Sequence, residues 1–427
     1  MTRRTPMMTA TTPWRRNVAL FLTGQTVSLF GSMVVQYVVM WWVTLETQSG
    51  LAVALYAVAA FLPQGVVSIF GGVLADRMNR RVLVMIADGG IAAATLVLAL
   101  LMANGVTDLW IVLLAVAVRS VGAGVQTPAV QAMIPQIVPP ERLMRVNGIF
   151  QTIHSAMALL APAVGAAIFA AFGLVPVFFL DVVTAVIGIG LLALVAVPTL
   201  ERVAESGATY RQDLVEGMRY IRSNPVVRWL LAVYAIIFML TVAPSFVTPL
   251  MVARSFGTEK WMLAVLEVAF SVGMMLGGVL VSTVLANQGR VRMILFAVYG
   301  FGVLTVALGL STNLWVFYGF MFLVGLLVPP FSTPFMTLIQ ETVEAGMQGR
   351  VFSYVGIVMA LATPLGMVVF GPLADVVSVQ VLLIGAGLAA IVVIAIAARL
   401  PSGRATVAAA RSSAPQGEPE AESVAKV

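Results

Sequence analysis

The chain contains no cysteine and a single histidine, His154. Without cysteine there can be no disulfide, thiolate metal centre or sulfur nucleophile, and one imidazole cannot build a multi-histidine metal site. Charge is also scarce: 24 basic and 18 acidic side chains are spread over 427 residues, where a soluble domain carries about a quarter of its residues charged. That scarcity excludes a water-soluble enzyme and an intrinsically disordered chain. No Gly-x-x-x-x-Gly-Lys-Ser/Thr loop is present, so nothing is built to cradle the phosphates of ATP.

Apolar residues fill the space that charge leaves, at 60% of the chain. A helix needs about 20 of them to cross the hydrocarbon core of a bilayer. Apolar runs fall near 17–45, 51–75, 82–104, 108–133, 144–172 and 175–198, and again near 227–252, 260–286, 291–311, 314–340, 350–372 and 376–398. The fold class is therefore an all-α membrane protein of twelve transmembrane helices, six plus six. The predicted organisation is a disordered N-terminus (1–13), a first bundle (14–198), a linker (199–226), a second bundle (227–400) and a disordered tail (401–427). In the linker, Tyr210, Leu214, Met218 and Ile221 recur at helical spacing among Arg211, Asp213, Glu216, Arg219 and Arg222, which predicts an amphipathic helix on the membrane surface. No short apolar core with a small-residue cleavage site opens the chain, so the first span reads as an uncleaved anchor.

Placing both termini in the cytoplasm puts 21 of the 24 basic residues on that side, leaving Arg254 and Lys260 outside and Arg119 within a span. This asymmetry is the positive-inside pattern, and it accounts for the basic charge without nucleic acid. The two sets of spans also repeat one another. GGVL at 71–74 recurs at 277–280 and Thr127-Pro128 at Thr333-Pro334, both at an offset of 206, while Phe150, Met157 and Pro162 recur as Phe352, Met359 and Pro364 at 202. Two homologous bundles packed about an axis along the membrane normal leave a cavity between them near the midplane.

The turn between spans two and three reads GVLADRMNRR at 72–81. Gly72 permits close helix approach, and Asp76 can accept from the free amides of a neighbouring helix while pairing with Arg77 or Arg80, with Arg81 following. This segment resembles the signature Gly-x-x-x-Asp-Arg-x-Gly-Arg-Arg/Lys of the major facilitator superfamily. Asn79 stands where that family prefers glycine, and is expected to take the left-handed turn in its place. The resemblance implies that Asp76 is a gating aspartate bracing one bundle against the other. RSVGAG at 119–124 is similar to the fourth-span arginine motif of proton-coupled exporters, which implies a role for Arg119 in proton transfer. In span five, Gly148, Pro162 and Gly165 match an antiporter pattern of hinge glycines, whereas Met157 and Ala161 replace two of them. GQTVSLFGS at 24–32, ADGGIAAA at 87–94, EVAFSVGMMLGG at 267–278 and GRVFS at 349–353 further resemble macrolide-efflux-like drug:proton antiporters, the third drug-antiporter family.

Three acids lie within spans, Asp88, Asp181 and Glu267. With Arg119 and His154 they are the candidates for proton coupling, because intramembrane ionisable groups are costly and mark ion pathways. Glu267, among Met262, Leu263, Phe270 and Met274, is the first choice: a lipophilic cation arriving there can displace its proton. Tyr37, Trp41, Tyr234, Phe238, Phe246 and Met274 are candidate substrate contacts in a deformable apolar cavity. Together these readings predict a monomeric exporter of lipophilic, cationic, drug-like compounds in a bacterial plasma membrane. It would need no cofactor beyond the proton gradient, bind no nucleic acid and perform no enzymatic conversion. Export of a siderophore or lysolipid is the alternative within the family; a lipid-modifying intramembrane enzyme or a non-transporting sensor lies outside it.

Overall fold

A computed structural model describes residues 14–197, 210–242, 246–285 and 288–400. Regular structure among these residues is helical throughout. This follows from the composition, since apolar runs in a bilayer must satisfy every backbone polar group internally. The helices are α1 (Trp14–Thr47), α2 (Gly50–Arg77), α3 (Arg80–Ala103), α4 (Leu109–Ile137), α5 (Leu143–Phe172), α6 (Val175–Ala193), α7 (Tyr210–Ser223), α8 (Pro225–Ile237), α9 (Thr248–Ser255), α10 (Lys260–Thr283), α11 (Arg290–Leu310), α12 (Leu314–Thr342), α13 (Ala345–Val376) and α14 (Val379–Arg399). Short polar residues open several of them by accepting from free amides: Ser49 at α2, Asn224 at α8, Asn313 at α12 and Ser378 at α14. The predicted disorder of 1–13 and 401–427 lies outside the described residues.

Among the described residues, eleven helices are each long and apolar enough to cross a membrane, and a bent pair supplies a twelfth if it forms one span. The crossing expected near 227–252 is divided instead: α8 runs into a π-helical turn, Phe238–Val242, and resumes as α9 with Pro249 in its first turn. Proline has no amide to continue the ladder, so it starts a helix more readily than it extends one. The chain bends by 106° between Val215–Ser223 and Pro225–Leu240. Thus α7 lies across the axis of the crossing that follows, the orientation of a surface helix. Glu216 anchors it to α13 through Arg350, Oε2 to Nη1 2.9 Å.

The same pairings recur in the two sets of helices. In the first, α2 packs on α4 and α3 packs on α4 and α6; in the second, α10 packs on α12 and α11 packs on α12 and α14. The repeated GGVL segments serve equivalent joints. Gly71 lies against the Gly124 carbonyl and Pro128 of α4, and Gly277 against the Leu326 carbonyl and Pro329 of α12, with no room for a side chain at either. The two bundles meet through α2 with α13, α5 with α10, and α1 with α9. Large apolar side chains such as Phe70, Ile86, Leu114, Phe296 and Val392 remain exposed on the outer surface, as required for contact with lipid rather than water.

Successive crossings run in opposite directions, so one face gathers the start of α1 and the end of α14. Arg15, Arg80, Arg142, Arg219, Arg290 and Arg399 lie at this basic face. Among the described residues, the opposite face carries two basic residues, Arg254 and Lys260. Trp110, Trp261 and Trp315, at the first turns of α4, α10 and α12, are exposed near that opposite face, a position suited to an interfacial aromatic belt.

Candidate functional site

A cavity of about 400 Å³ lies between the bundles. Its wall is largely aromatic and aliphatic: Tyr37 and Met40 of α1, Tyr56 and Phe61 of α2, Phe238 and Phe246 around the broken crossing, Phe270 of α10 and Phe331 of α12 all line it. Glu267 is the one acidic lining residue, and no hydrogen bond or ion pair engages it among the described residues. At the opposite face α2 meets α13 and α5 meets α10. On the basic-face half of α5, Gln151, Thr152 and Ser155 are exposed, as polar side chains are when a span borders water rather than lipid.

Rigid aromatic packing supports the wall. Tyr234 stacks on Phe335 with ring centroids 4.4 Å apart, and Phe331 stacks on Phe335 at 6.0 Å. Across the bundle interface Phe61 meets Phe246 edge to face at 5.6 Å. The cavity therefore has a preformed aromatic surface suited to lipophilic ring systems, with a single negative group set into it.

A second cavity of about 110 Å³ sits inside the first bundle, lined by Ser32, Gln36, Tyr56, Gln64, Arg119 and Ser120. It shares Gln36 and Tyr56 with the main cavity, and its volume could hold roughly three waters. At its end Arg119 donates to both Asp181 and Thr95. Asp181 is fully buried and accepts from Ser32 Oγ at 3.0 Å and Thr95 Oγ1 at 2.9 Å. Every charge here has a partner, as burial in a bilayer demands. Next to Arg119, the Ser120 hydroxyl donates to the Ala60 carbonyl at 2.7 Å and accepts from the Gln64 amide at 2.9 Å. It thus bridges a helical hydrogen bond of α2 beside Pro63 and fixes α4, with its arginine, against that helix.

Two turns further along the α3/α4 seam, roughly 10 Å at 1.5 Å per residue, Gln126 Nε2 donates to Asp88 Oδ1 at 3.0 Å. Asp88 is buried, and its Oδ2 has no partner among the described residues. His154 stands apart from these acids, edge to face on Phe150 at 4.7 Å.

Of the six predicted substrate contacts, Tyr37, Phe238 and Phe246 line the cavity. Trp41 does not: it is fully buried behind Tyr37, centroids 6.1 Å apart. Tyr234 lies one layer back in the aromatic stack, and Met274, whose backbone lies against Gly325 of α12, is not among the lining residues. The lining residues Gln36, Tyr56 and Phe331 carried no sequence signal, because each looks like an ordinary residue of an apolar or mixed span until helix rotation is known.

At the turn after α2, Asn79 is not left-handed. Its φ is −66°, and its side chain caps α3 by accepting from the Arg81 and Val82 amides. An N-cap needs extended backbone, and asparagine supplies the acceptor that glycine lacks. Arg80 donates to the Ala132 carbonyl at 2.7 Å and Arg81 to the Val195 carbonyl at 2.8 Å, tying the turn to α4 and to the end of α6. The side chains at Gly72, Asp76 and Arg77 lie outside the described residues, and with them the predicted gating contact. In α5, Pro162 is buried, Gly165 rests against Val34 and Val38 of α1, and Gly148 faces open space.

The family model of the Major Facilitator Superfamily matches residues 20–367. Macrolide efflux protein A of Streptococcus pyogenes is 30% identical over 370 residues, covering 86% of this chain and 91% of that protein. Among solved structures, a bacterial homologue of the human lysosomal transporter Spinster, in an inward-facing and unoccupied conformation, superposes with a TM-score of 0.68 at 15% identity, over 93% of this chain and 99% of that one. A bacterial homologue of the iron transporter ferroportin in an inward-facing state gives 0.66 at 18% identity, over 90% and 99%.

Proposed function

This chain belongs to the Major Facilitator Superfamily of membrane transporters, and from that premise we propose that it exports lipophilic cations in exchange for protons. The observation that carries the reading is Glu267, an acid set in an aromatic cavity between two bundles with no hydrogen-bond or ion-pair partner among the described residues. A proton and a cationic substrate compete for one carboxylate, and that competition couples their fluxes. The resemblance to a macrolide efflux protein supports an amphipathic, drug-sized cargo.

In the proposed cycle the two bundles rock about the cavity, opening it to one side at a time. By the positive-inside rule the basic face is cytoplasmic, which puts both termini in the cytoplasm of a bacterial cell and the opposite face outside. Cargo enters from the cytoplasm or inner leaflet, displaces the proton of Glu267, and leaves outward; a returning proton resets the site. The Arg119–Asp181 pair, reached past Gln36 and Tyr56, provides a second place where a proton can break a charge pair. Asp76 holds the bundles together at the cytoplasmic face in the outward-open state. A membrane potential of 100 mV supplies about 2.3 kcal/mol per charge, and a tenfold proton gradient about 1.4 kcal/mol. One proton exchanged for a monovalent cation moves no net charge, so the potential cancels and a tenfold proton gradient supports about tenfold accumulation; a second proton per cycle brings the potential to bear. The cycle uses no cofactor and no chemical conversion of the cargo, and a single chain contains the whole path.

Efflux of a fluorescent lipophilic cation from proteoliposomes with an imposed pH gradient tests this. Wild-type protein is expected to transport until an uncoupler is added. Glu267→Gln should lower gradient-driven transport of the cation by at least about tenfold, the cost of roughly 1.4 kcal/mol in the coupled step. Wild-type efflux that ignores the uncoupler refutes antiport, and an unchanged Glu267→Gln variant refutes the assigned acid.

A further inference from the structure

Arg254 and Lys260, the two basic residues that stand against the charge bias, both reach across the bundle interface. We propose that, with Asp375, they form a clasp that holds the transporter shut on its outer side, and that breaking it shifts the chain toward the outward-open state. This rests on the transport reading above.

Asp375 ends α13, yet its carboxylate serves the opposite bundle. It accepts from Ser49 Oγ at 2.9 Å, the Gly50 amide at 2.7 Å and the Leu51 amide at 2.8 Å, filling the first turn of α2. An acid at a helix N-terminus meets free amides and the positive end of the helix dipole. Arg254, in the last turn of α9, ties the same point from a third direction. It donates to Asp375 Oδ1 at 2.7 Å, to the Ala374 carbonyl at 2.6 Å and, through Nε, to the Gln48 carbonyl at 2.9 Å. Gln48 is the one described non-glycine residue with positive φ, 45°. Such a backbone is held only where its surroundings require it, and here the acceptor of that residue is taken by Arg254. Gly50 and Gly371 let the backbones of α2 and α13 touch beneath the clasp, leaving no space for a β-carbon at either.

Lys260 makes the matching tie on the other side of the cavity. Its ammonium donates to the Phe169 carbonyl at 3.0 Å, in the last turn of α5, and lies 4.2 Å from the centroid of the Phe169 ring. A cation there answers the negative end of the α5 dipole and the aromatic face together. The two ties close the α2/α13 and α5/α10 seams at one face, the two places where the bundles must separate for the cavity to open outward. None of these contacts touches the cavity wall or the Arg119–Asp181 pair, so the clasp biases the conformational equilibrium without handling cargo.

Because the chain has no cysteine, Met40→Cys supplies a single reporter thiol in the cavity wall. Its reaction with a membrane-impermeant charged maleimide is measured in right-side-out and inside-out vesicles. In the Arg254→Gln/Asp375→Asn background, labelling from outside should rise about tenfold, as expected from losing roughly 1.4 kcal/mol of closed-state preference, and labelling from inside should fall. A folded double variant, with an unaltered gel-filtration profile, that labels like its parent from both sides overturns the clasp. Lys260→Met offers the same reading if the double variant fails to fold: a smaller rise supports the proposal and no rise overturns it. A rise confined to inside-out vesicles reverses the membrane orientation and leaves the clasp standing. Intact clasp responses in a protein with no efflux refute the transport reading alone.

Discussion

The two bundles share a helix-pairing scheme but handle charge in opposite ways. In the first, Asp88 and Asp181 are buried among hydroxyl and amide side chains, and Arg119, nearly buried, is paired with Asp181. In the second, the buried polar residues among those described are neutral, Thr248, Ser271, Thr305, Ser311 and Thr363, and the interior is dominated by stacked rings around Tyr234, Phe331 and Phe335. Among the described residues its one cavity acid, Glu267, has no hydrogen-bond or ion-pair partner. Duplication thus supplied two copies of a scaffold, and divergence separated the work: one bundle holds its charges in hydrogen-bonded networks, the other offers an aromatic surface with a carboxylate set into it. A transporter needs both, since a group that must bind and release cannot also be locked in a network.

The sharpest way to break this contrast is to disable the pair in the first bundle. Arg119→Leu leaves Asp181 as an uncompensated buried charge, and removing one partner of a buried pair costs about 3–5 kcal/mol. The melting temperature in detergent should fall steeply and expression with it. Arg119→Leu/Asp181→Leu removes both charges and should recover most of that stability while transport stays absent. A double variant no more stable than the single would show that the two residues contribute separately, and the first bundle would then resemble the second.

How much of this was legible beforehand divides along the same physical line. The helical spans and the repeated helix pairing follow from quantities that accumulate along the chain: twenty-residue apolar runs and a repeat at a fixed offset. Contacts that depend on how a helix is rotated did not follow. Arg119 was visible as a cation needing a partner, and Asp181 as an acid within a span, but 62 positions separate them and nothing in either segment says that they face one another. Tyr37 and Trp41 sit one turn apart with similar composition around them, yet one lines the cavity and the other is sealed behind it. Asn79 shows a third limit: glycine and asparagine share a preference for left-handed turns, but asparagine also caps helices, and local hydrogen bonding selected the cap. Likewise Arg254 and Lys260 were legible as exceptions to the charge bias, while their use across the interface required the fold.

A milder test addresses the aromatic side of the contrast. Tyr234 touches Phe238, Phe331 and Phe335, so it shapes the cavity wall from behind. Tyr234→Leu keeps the site apolar but removes the stacking, worth about 0.5–1.5 kcal/mol per aromatic pair. A modest loss of stability, with a change in the rank order of transported cations rather than uniform inactivation, is the expected result in an efflux panel. Uniform loss across all cargoes would mean that the stack supports the fold alone and that selectivity resides elsewhere.

The smallest effect belongs to an ion pair in the second bundle that looks as good in outline as the buried one in the first. Arg290 Nη2 lies 2.8 Å from Glu341 Oε1 at the basic face, but the two side chains are 43% and 48% exposed. Water and salt already solvate both groups there, so Arg290→Gln should cost no more than about 1 kcal/mol, less still at high ionic strength. Melting curves of Arg290→Gln and Arg119→Leu measured together separate geometry from environment. If the exposed pair proved as costly to break as the buried one, dielectric surroundings would not be what distinguishes the bundles, and the division of labour drawn from burial would have to be replaced by one drawn from contact alone.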